Sequence, residues 1–261
     1  MVKWFVSSDI HSFFDIFYAE LLKQGFEIDN PEHKVIICGD LMDRGDQTVK
    51  LFDFIKSLHS HNRLIYVRGN HESLLFDCMH EITCGRLPGY HHFSNGTIKT
   101  ICQFCGENEW IIYDPTQRKK ICDTMQPILD FIDKNCVDYA EIGSYVFVHG
   151  WIPCYQGLND FRDATAEDWE RARWENGMER WMNRKCRADS KTIVCGHYHC
   201  SWGWSHVRLE RKEFPNKSRA DWKKSFEPFV DDGIMAIDAC TAYTNLCNVI
   251  VIEEDNTNGN N

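Results

Sequence analysis

The sequence predicts an α/β fold in which a parallel sheet packs against a second, more antiparallel one. Three observations lead there. Short β-rich runs recur and each stops at a polar cluster. Helical patterns separate the early runs, as in βαβ units. The late runs follow one another without intervening helices, as antiparallel strands do.

The strands are expected at Lys3–Ser7, Lys34–Cys38, Leu64–Val67, Tyr145–Val148, Thr192–Cys195, Gly233–Ala239 and Asn248–Glu253. Helical periodicity covers Ser12–Gly25, Gln47–His61 and Glu72–Met79, with Ser12 a cap and Gly25 a stop for the first. Residues 84–135 and 153–187 break the rhythm and are long enough to form a helical cap over one sheet edge. Within the second, Trp169, Trp174 and Trp181 read as a core-facing stripe, while a neighbouring arginine, Arg173 among them, offers a second substrate clamp. Arg211–Lys212 and Lys223–Lys224 read as solvated faces, and the Asn-rich acidic tail, 253–261, as frayed. The whole of 1–261 is expected to be one domain.

Composition narrows the function. A net charge of −10 repels long nucleic acid, although a local basic cleft can still hold a phosphate. No run approaches the ~18–20 apolar residues of a membrane span, and the short apolar run before Asp9 is no secretory signal. The expectation is a cytoplasmic protein whose 13 cysteines are reduced. Cys102 and Cys105 form one C-x-x-C, but a zinc ribbon needs a second pair, so core or loop thiols are the favoured reading.

Metal-capable side chains follow five successive strand ends, where ligands of open α/β sheets sit. Asp9-x-His11 comes first; alone it could be a solvated Asp and a surface His. Gly39-Asp40-Leu41-Met42-Asp43-Arg44-Gly45 follows: Asp40 suits a bridging carboxylate, and the Arg44 fork matches two phosphate oxygens. Its bland counterpart is an acidic capping loop with an ion-paired arginine. Arg68-Gly69-Asn70-His71-Glu72 offers an amide oxygen and a histidine beside it, or simply a strand-to-helix turn capped by Asn70. His149 after Tyr145–Val148, and His197 and His199 after Thr192–Cys195, complete the set. Any one of these histidines alone is more often a satisfied turn residue; their common placement is what points to a metal centre.

These blocks resemble the calcineurin-like metallophosphoesterase superfamily, especially its serine/threonine phosphoprotein phosphatase branch with small bacterial and phage members and symmetrical dinucleoside tetraphosphatases. The first block departs from that branch, with Ser8 and Ser12 where it has glycines, and Gly196-His197-x-His199 is more typical of the broader superfamily. The resemblance implies a mixed β-sandwich flanked by helices and two divalent ions bridged by Asp40. Asp9, His11 and His199 would complete one site, and Asn70, His149 and His197 the other. His71 would be the general acid oriented by Asp43, and Arg44 would hold the phosphate. An N/O donor set without thiolate favours manganese, iron or zinc. A metal-bridging hydroxide would then attack phosphorus in line.

The function expected is hydrolysis of a phosphomonoester, on a protein or a small molecule. The alternative is cleavage of a dinucleoside polyphosphate. A nuclease is disfavoured by the charge, and a dead binding module by the complete ligand set. The sequence leaves the oligomeric state open.

Overall fold

A computed structural model describes residues 1–183, 187–210 and 219–254, with side chains described outside 208–221. Two five-stranded sheets face each other. The first contains β1 (Val2–Ser7), β2 (His33–Cys38), β3 (Leu64–Val67), β4 (Cys136–Val137) and β10 (Ile250–Glu254), in the order β10-β1-β2-β3-β4. The second contains β5 (Ala140–Ile142), β6 (Tyr145–Phe147), β7 (Thr192–Cys195), β8 (Phe229–Asp231) and β9 (Ile234–Ala236), in the order β5-β6-β7-β9-β8. Helices α1 (Phe14–Lys23), α2 (Thr48–Ser60) and α3 (Asn70–Thr83) are the early crossovers, followed by α4 (Tyr90–Asn95), α5 (Thr97–Cys105) and α6 (Arg118–Asn135). The second half adds α7 (Ala166–Ala172), α8 (Gly177–Met182), α9 (Ser201–Glu210), α10 (Arg219–Lys224) and α11 (Thr241–Thr244).

Both sheets are mixed. β1, β2, β3 and β4 run parallel, as βαβ crossovers require, and β10 closes the free edge of β1 antiparallel, with Phe5 opposite Val251. The expected strand Asn248–Glu253 therefore does not join the late sheet. Ile252 packs with Trp4 and Val6 between the sheets, and that burial selects the β1 edge. In the second sheet β6, β7 and β9 are parallel, with β5 and β8 antiparallel at the edges. It is thus less antiparallel than expected. Val6, Ile36, Cys38, Val67, Phe147, Val194 and Ile237 fill the space between the sheets. The outer face of the first sheet is covered by α1, α2, α3, α5 and α6 through Phe17, Leu51, Ile55, Leu75, Ile101 and Met125.

Several boundaries shift. Ser12 does not cap α1: it adopts φ 64°, its hydroxyl lies 2.8 Å from that of Thr48, and Phe13 precedes the helix. Gly25 does follow the helix, at φ +89°. Glu253 and Glu254 are not frayed; they end β10, where the Trp4 indole donates to Glu254 and Lys3 pairs with Glu253. The rest of the expected tail, and Arg211–Lys212, lie outside the described residues; Lys223 and Lys224 are exposed.

The thiols of Cys38, Cys195 and Cys247 are free and buried. Cys154 departs from the expected reduced set: it lies in the loop before α7 and is disulfide-bonded. Cys102 and Cys105 are free thiols on α5. Burial pushes Cys102 up to about 11, against the thiolate a zinc ion needs. Among the described residues, metal-capable groups form only around Asp40.

Candidate metal centre

The residues singled out by the motifs gather where the C-terminal ends of the parallel strands meet. Asp9, His11, Asp40, Arg44, Asn70, His71, His197 and His199 line one open cleft. His149 lies buried beneath them, with Nε2 2.8 Å from the Asn70 carbonyl oxygen.

Backbone geometry turns these side chains inward. Asp9, His11, Asp40, Asp43, Arg44 and His197 all have positive φ, between 50° and 75°, in the left-handed region that L-residues rarely enter. Such strain persists only where the surroundings over-determine it. Here Asp9, His11 and Ser12 donate their backbone N–H to the carbonyls of Gly39, Asp40 and Leu41, which zips the first two loops together. A Cβ at Gly39 would stand 2.5 Å from His149 Nδ1 and 2.6 Å from the Gly69 Cα, and its φ is +81°. Only glycine fits there.

Glu72 locks the second loop to the third. Its buried carboxylate accepts from the backbone N–H of Asp40, Leu41 and Gly69 and from the Tyr66 hydroxyl, at 2.7–3.0 Å. A buried carboxylate with four donors is satisfied and rigid. The first turn of α3 also donates the His71 N–H to Asp40 Oδ1 at 2.9 Å, where the helix dipole favours negative charge.

Asp40 has the geometry of a bridge. His149 Nε2 lies 3.3 Å from its Oδ1, while His11 Nε2 and His71 Nε2 each lie 3.8 Å from its Oδ2. Two metal-capable groups result, His11–Asp40–His71 and Asp40–His149–His197, sharing one carboxylate.

Proton bookkeeping decides whether cations fit. His149 Nδ1 lies 2.8 Å from the Cys38 carbonyl and His11 Nδ1 2.9 Å from that of Met42. A carbonyl only accepts, so in each ring Nδ1 carries the hydrogen. In the neutral ring Nε2 is then a bare lone pair. His149 Nε2 faces the Asn70 oxygen at 2.8 Å and Asp40 Oδ1 at 3.3 Å, a converging N/O set of the kind a cation accepts. The His197 ring likewise bonds the Trp174 carbonyl, and burial pushes it down to about 3, which keeps it neutral. Burial also holds His11 well below the usual histidine range. Neutral imidazoles with one N–H tied to a carbonyl are oriented metal ligands.

The carboxylates agree. Burial lifts Asp40 to about 6, and burial with the neighbouring Asp9 lifts Asp238 well above the usual range. Asp9 is held by the Ser8 hydroxyl and by the His197 backbone N–H at 2.9 Å. Buried acids crowded this way call for positive charge that Arg44 alone does not supply. The donor set therefore fits divalent ions.

His71 differs from the other histidines of the cleft. Nδ1 lies 2.7 Å from Asp43, and Nε2 faces the Arg44 guanidinium at 3.2 Å. Burial alone would lower its pKa, but Asp40, then Asp43, outweigh it and raise it to about 9. Asp43 is held by Thr97 and Thr100 of α5, which donate to Oδ2 at 3.0 Å and Oδ1 at 2.7 Å. Lys99 and Gln103 from the same helix donate to the carbonyls of Arg44 and Gly45 at 2.9 Å.

Arg173 is placed elsewhere. Its guanidinium is buried among Glu170, Asp138 and Ser73, and it does not line the cleft. The expected second clamp fails because two carboxylates already hold that cation. Trp174 lines the cleft instead, with Asn95, Asp238, Cys240 and Tyr243. Sequence reading missed all of these. Asp238 carried one usable signal, an acid at the end of the apolar run Ile234–Ile237.

A stretch of 77 residues, 27% of the chain, is 38% identical to bis(5'-nucleosyl)-tetraphosphatase PrpE (asymmetrical) of Anoxybacillus flavithermus, covering 31% of that protein. The Bacillus subtilis protein of the same name is 32% identical over 77 residues, covering 27% of the chain and 32% of its own length. The chain thus matches about a third of the length of these relatives. In fold it is similar to the cold-active protein-tyrosine phosphatase of a psychrophilic Shewanella species, with a TM-score of 0.53, 13% identity, and coverage of 97% of this chain and 76% of that one. The family profile described as calcineurin-like phosphoesterase matches residues 3–231. A match over that much of the chain decides the family: the protein belongs to the calcineurin-like phosphoesterases.

Proposed function

We propose that the chain hydrolyses phosphomonoesters with two divalent ions held by Asp9, His11, Asp40, Asn70, His149, His197 and His199. The observation that carries this reading is the sharing of Asp40 between two metal-capable groups. Manganese, iron and zinc all suit the donor set. When bound, such ions supply Lewis acidity and an activated water.

The chain's own residues do the rest. Arg44 binds the phosphoryl oxygens, and its position is set by Lys99 gripping its carbonyl. His71 donates a proton from Nε2 to the leaving oxygen, while Asp43 holds Nδ1 and fixes the ring plane. Glu72 keeps the Asp40 loop from shifting as charge builds.

A second reading, cleavage of dinucleoside polyphosphates, is supported by the names of the relatives matched over 77 residues. Against it, Arg44 is the one permanent cation among the described residues of the cleft, and several phosphates would need more. The test is turnover, with manganese, of p-nitrophenyl phosphate, a phosphoserine peptide, a phosphotyrosine peptide and diadenosine tetraphosphate. Turnover of monoesters at least tenfold above the tetraphosphate is expected. The reverse order would replace the first reading by the second, and activity undiminished by chelator would overturn both.

A further inference from the structure

We infer that Trp174 and Tyr243 form an aromatic subsite beside the metal centre that holds a planar ring carried by the phosphorylated substrate. This deepens the phosphoesterase reading above and rests on it. The two side chains come from different segments and line the same cleft as Asp9, Asp40 and His197. Both are exposed, Trp174 by 47% and Tyr243 by 78%. Aromatics this size usually find cover, and two opened onto one polar cleft are the surface features that recognition sites leave bare.

The Trp174 ring and the turn that carries Tyr243 are held in place. The Trp174 ring stands edge-on to His197 with centroids 6.0 Å apart, and its indole N–H reaches Glu170 at 3.4 Å. The turn before it packs tightly on the His149–Gly150 turn: a Cβ at Gly150 would meet the Ala172 and Arg173 carbonyls at 2.5 and 2.7 Å. Tyr243 rides on α11, a single turn between left-handed Cys240 and Asn245, pinned by Thr244 donating to the Ala239 carbonyl at 2.8 Å. The Trp174 ring and the backbone turn that carries Tyr243 are thus fixed before a ring docks, which limits the entropy lost on binding.

Charge sets how far the ring can be from phosphorus. Beyond Arg44 the cleft offers carboxylates, Asp9, Asp40 and Asp238, and among its described residues no further lysine or arginine. With Asp9 and Asp40 holding ions, a polyphosphate chain or nucleic-acid backbone reaching past that centre would find no further cation among these residues. Affinity beyond the reacting phosphoryl must then come from the rings. The fitting substrate class is a phosphoryl group with an aromatic ring attached directly, as in an aryl phosphate, or through one sugar, as in a nucleoside monophosphate.

The test is calorimetric binding to the manganese-loaded protein of two matched, non-hydrolysable pairs. One is phenylphosphonate against methylphosphonate. The other is the 5'-phosphonate isosteres of adenosine monophosphate and ribose 5-phosphate. The ring-bearing member of at least one pair should bind roughly tenfold tighter, as stacking on aromatic side chains provides; the pair that shows the advantage identifies the ring's source. Trp174→Leu and Tyr243→Leu should each cut that ratio roughly fivefold with metal content as in wild type, and Trp174→Phe should retain most of it. Equal affinities within both pairs, or a ratio that survives both leucine variants, would overturn the subsite. Failure of methylphosphonate itself to bind would instead overturn the phosphoesterase reading beneath it.

Discussion

Nη2 of Arg44 lies 3.2 Å from Nε2 of His71, and the far nitrogen of that imidazole lies 2.7 Å from Asp43. A guanidinium only donates, so Arg44 donates to Nε2 while Nδ1 carries the hydrogen toward Asp43; once Nε2 takes up a proton, both groups become N–H donors facing the same space. An anion between them satisfies both, so the pair describes where a phosphoryl oxygen belongs.

Arg44→Ala should therefore raise KM and lower kcat, each by roughly tenfold, because the fork contacts substrate in the ground and transition states. Metal content should stay as in wild type. Steady-state kinetics on p-nitrophenyl phosphate with elemental analysis checks this; unchanged kinetics would leave Arg44 a purely structural ion.

Asp40→Asn should lose both ions, whereas His199→Ala should lose one. A residue serving both sites should matter more than the roughly 10–100-fold seen for outer partners of a metal site. Without metal the sign reverses. Burial lifts Asp40 to about 6, above the unfolded carboxylate range. Ionised at neutral pH, it therefore opposes folding of the metal-free chain. Metal-free Asp40→Asn should melt no lower than metal-free wild type; a lower melting point would mean the carboxylate has a purely structural role.

The brace on α5 can be probed without touching the ligands. Thr100→Val leaves one oxygen of buried Asp43 without a donor and the Asp43 N–H without an acceptor. A loss of roughly 1.5–3 kcal/mol of stability is expected. A kcat lowered severalfold at unchanged metal content should accompany it, with Thr100→Ser restoring both. If kcat stays at the wild-type value while stability drops, α5 braces the fold and not the His71–Asp43 pair.

Far from the centre, Glu141 links Arg162 and Lys191. The Arg162 fork donates to it at 2.6 and 2.9 Å and Lys191 at 2.5 Å. These donors, Arg162 foremost, hold its pKa down to about 2 from an ordinary 4.5. A depressed acid stabilises the fold above its unfolded pKa and loses that contribution as pH falls through the folded one. Glu141→Gln should thus be less stable than wild type by roughly 1–2 kcal/mol at pH 7, discounted for partial exposure. The gap should close between pH 4.5 and 2. Urea denaturation at pH 7 and pH 3 measures it; a gap independent of pH would remove the charge from the explanation.

How much of this was legible in the sequence follows from where each signal lies. Asp9, His11, Asp40, Asn70 and His149 were legible as candidates because each follows a strand end in a short local motif, and the fold gathers them in one place. Thr97 and Thr100 carry no such signal: they sit in an ordinary helix and matter only because the fold brings α5 to Asp43. Trp174 was misread because α7 ends at Ala172, so the tryptophan leaves the helical face that buries Trp169. The edge strand β10 was misplaced because periodicity shows that a strand has a buried face, not which neighbour it pairs with. Asp238 lay inside the expected strand Gly233–Ala239 and was not singled out there.

The sharpest prediction separates His71 from the proposed ligands it sits among. It is close enough to Asp40 and His11 to belong to a metal-capable group. If it were a ligand, His71→Asn would lose an ion and all substrates would suffer alike. As a proton donor it matters in proportion to the basicity of the leaving group. A serine or alkyl oxygen leaves poorly without the proton, whereas p-nitrophenolate scarcely needs it. His71→Asn should keep both ions and lose roughly 10²–10⁴ in kcat on an alkyl phosphate. Its loss on p-nitrophenyl phosphate should be at least tenfold smaller. Cations beside Asp40 should also weaken the pull that raises His71 to about 9, so loading with a diamagnetic ion such as zinc should lower its pKa, as followed by the nitrogen shifts of the ring. Equal losses on both substrates, or a missing ion in the purified variant, would make His71 a ligand and leave the proton donor to be sought elsewhere in the cleft.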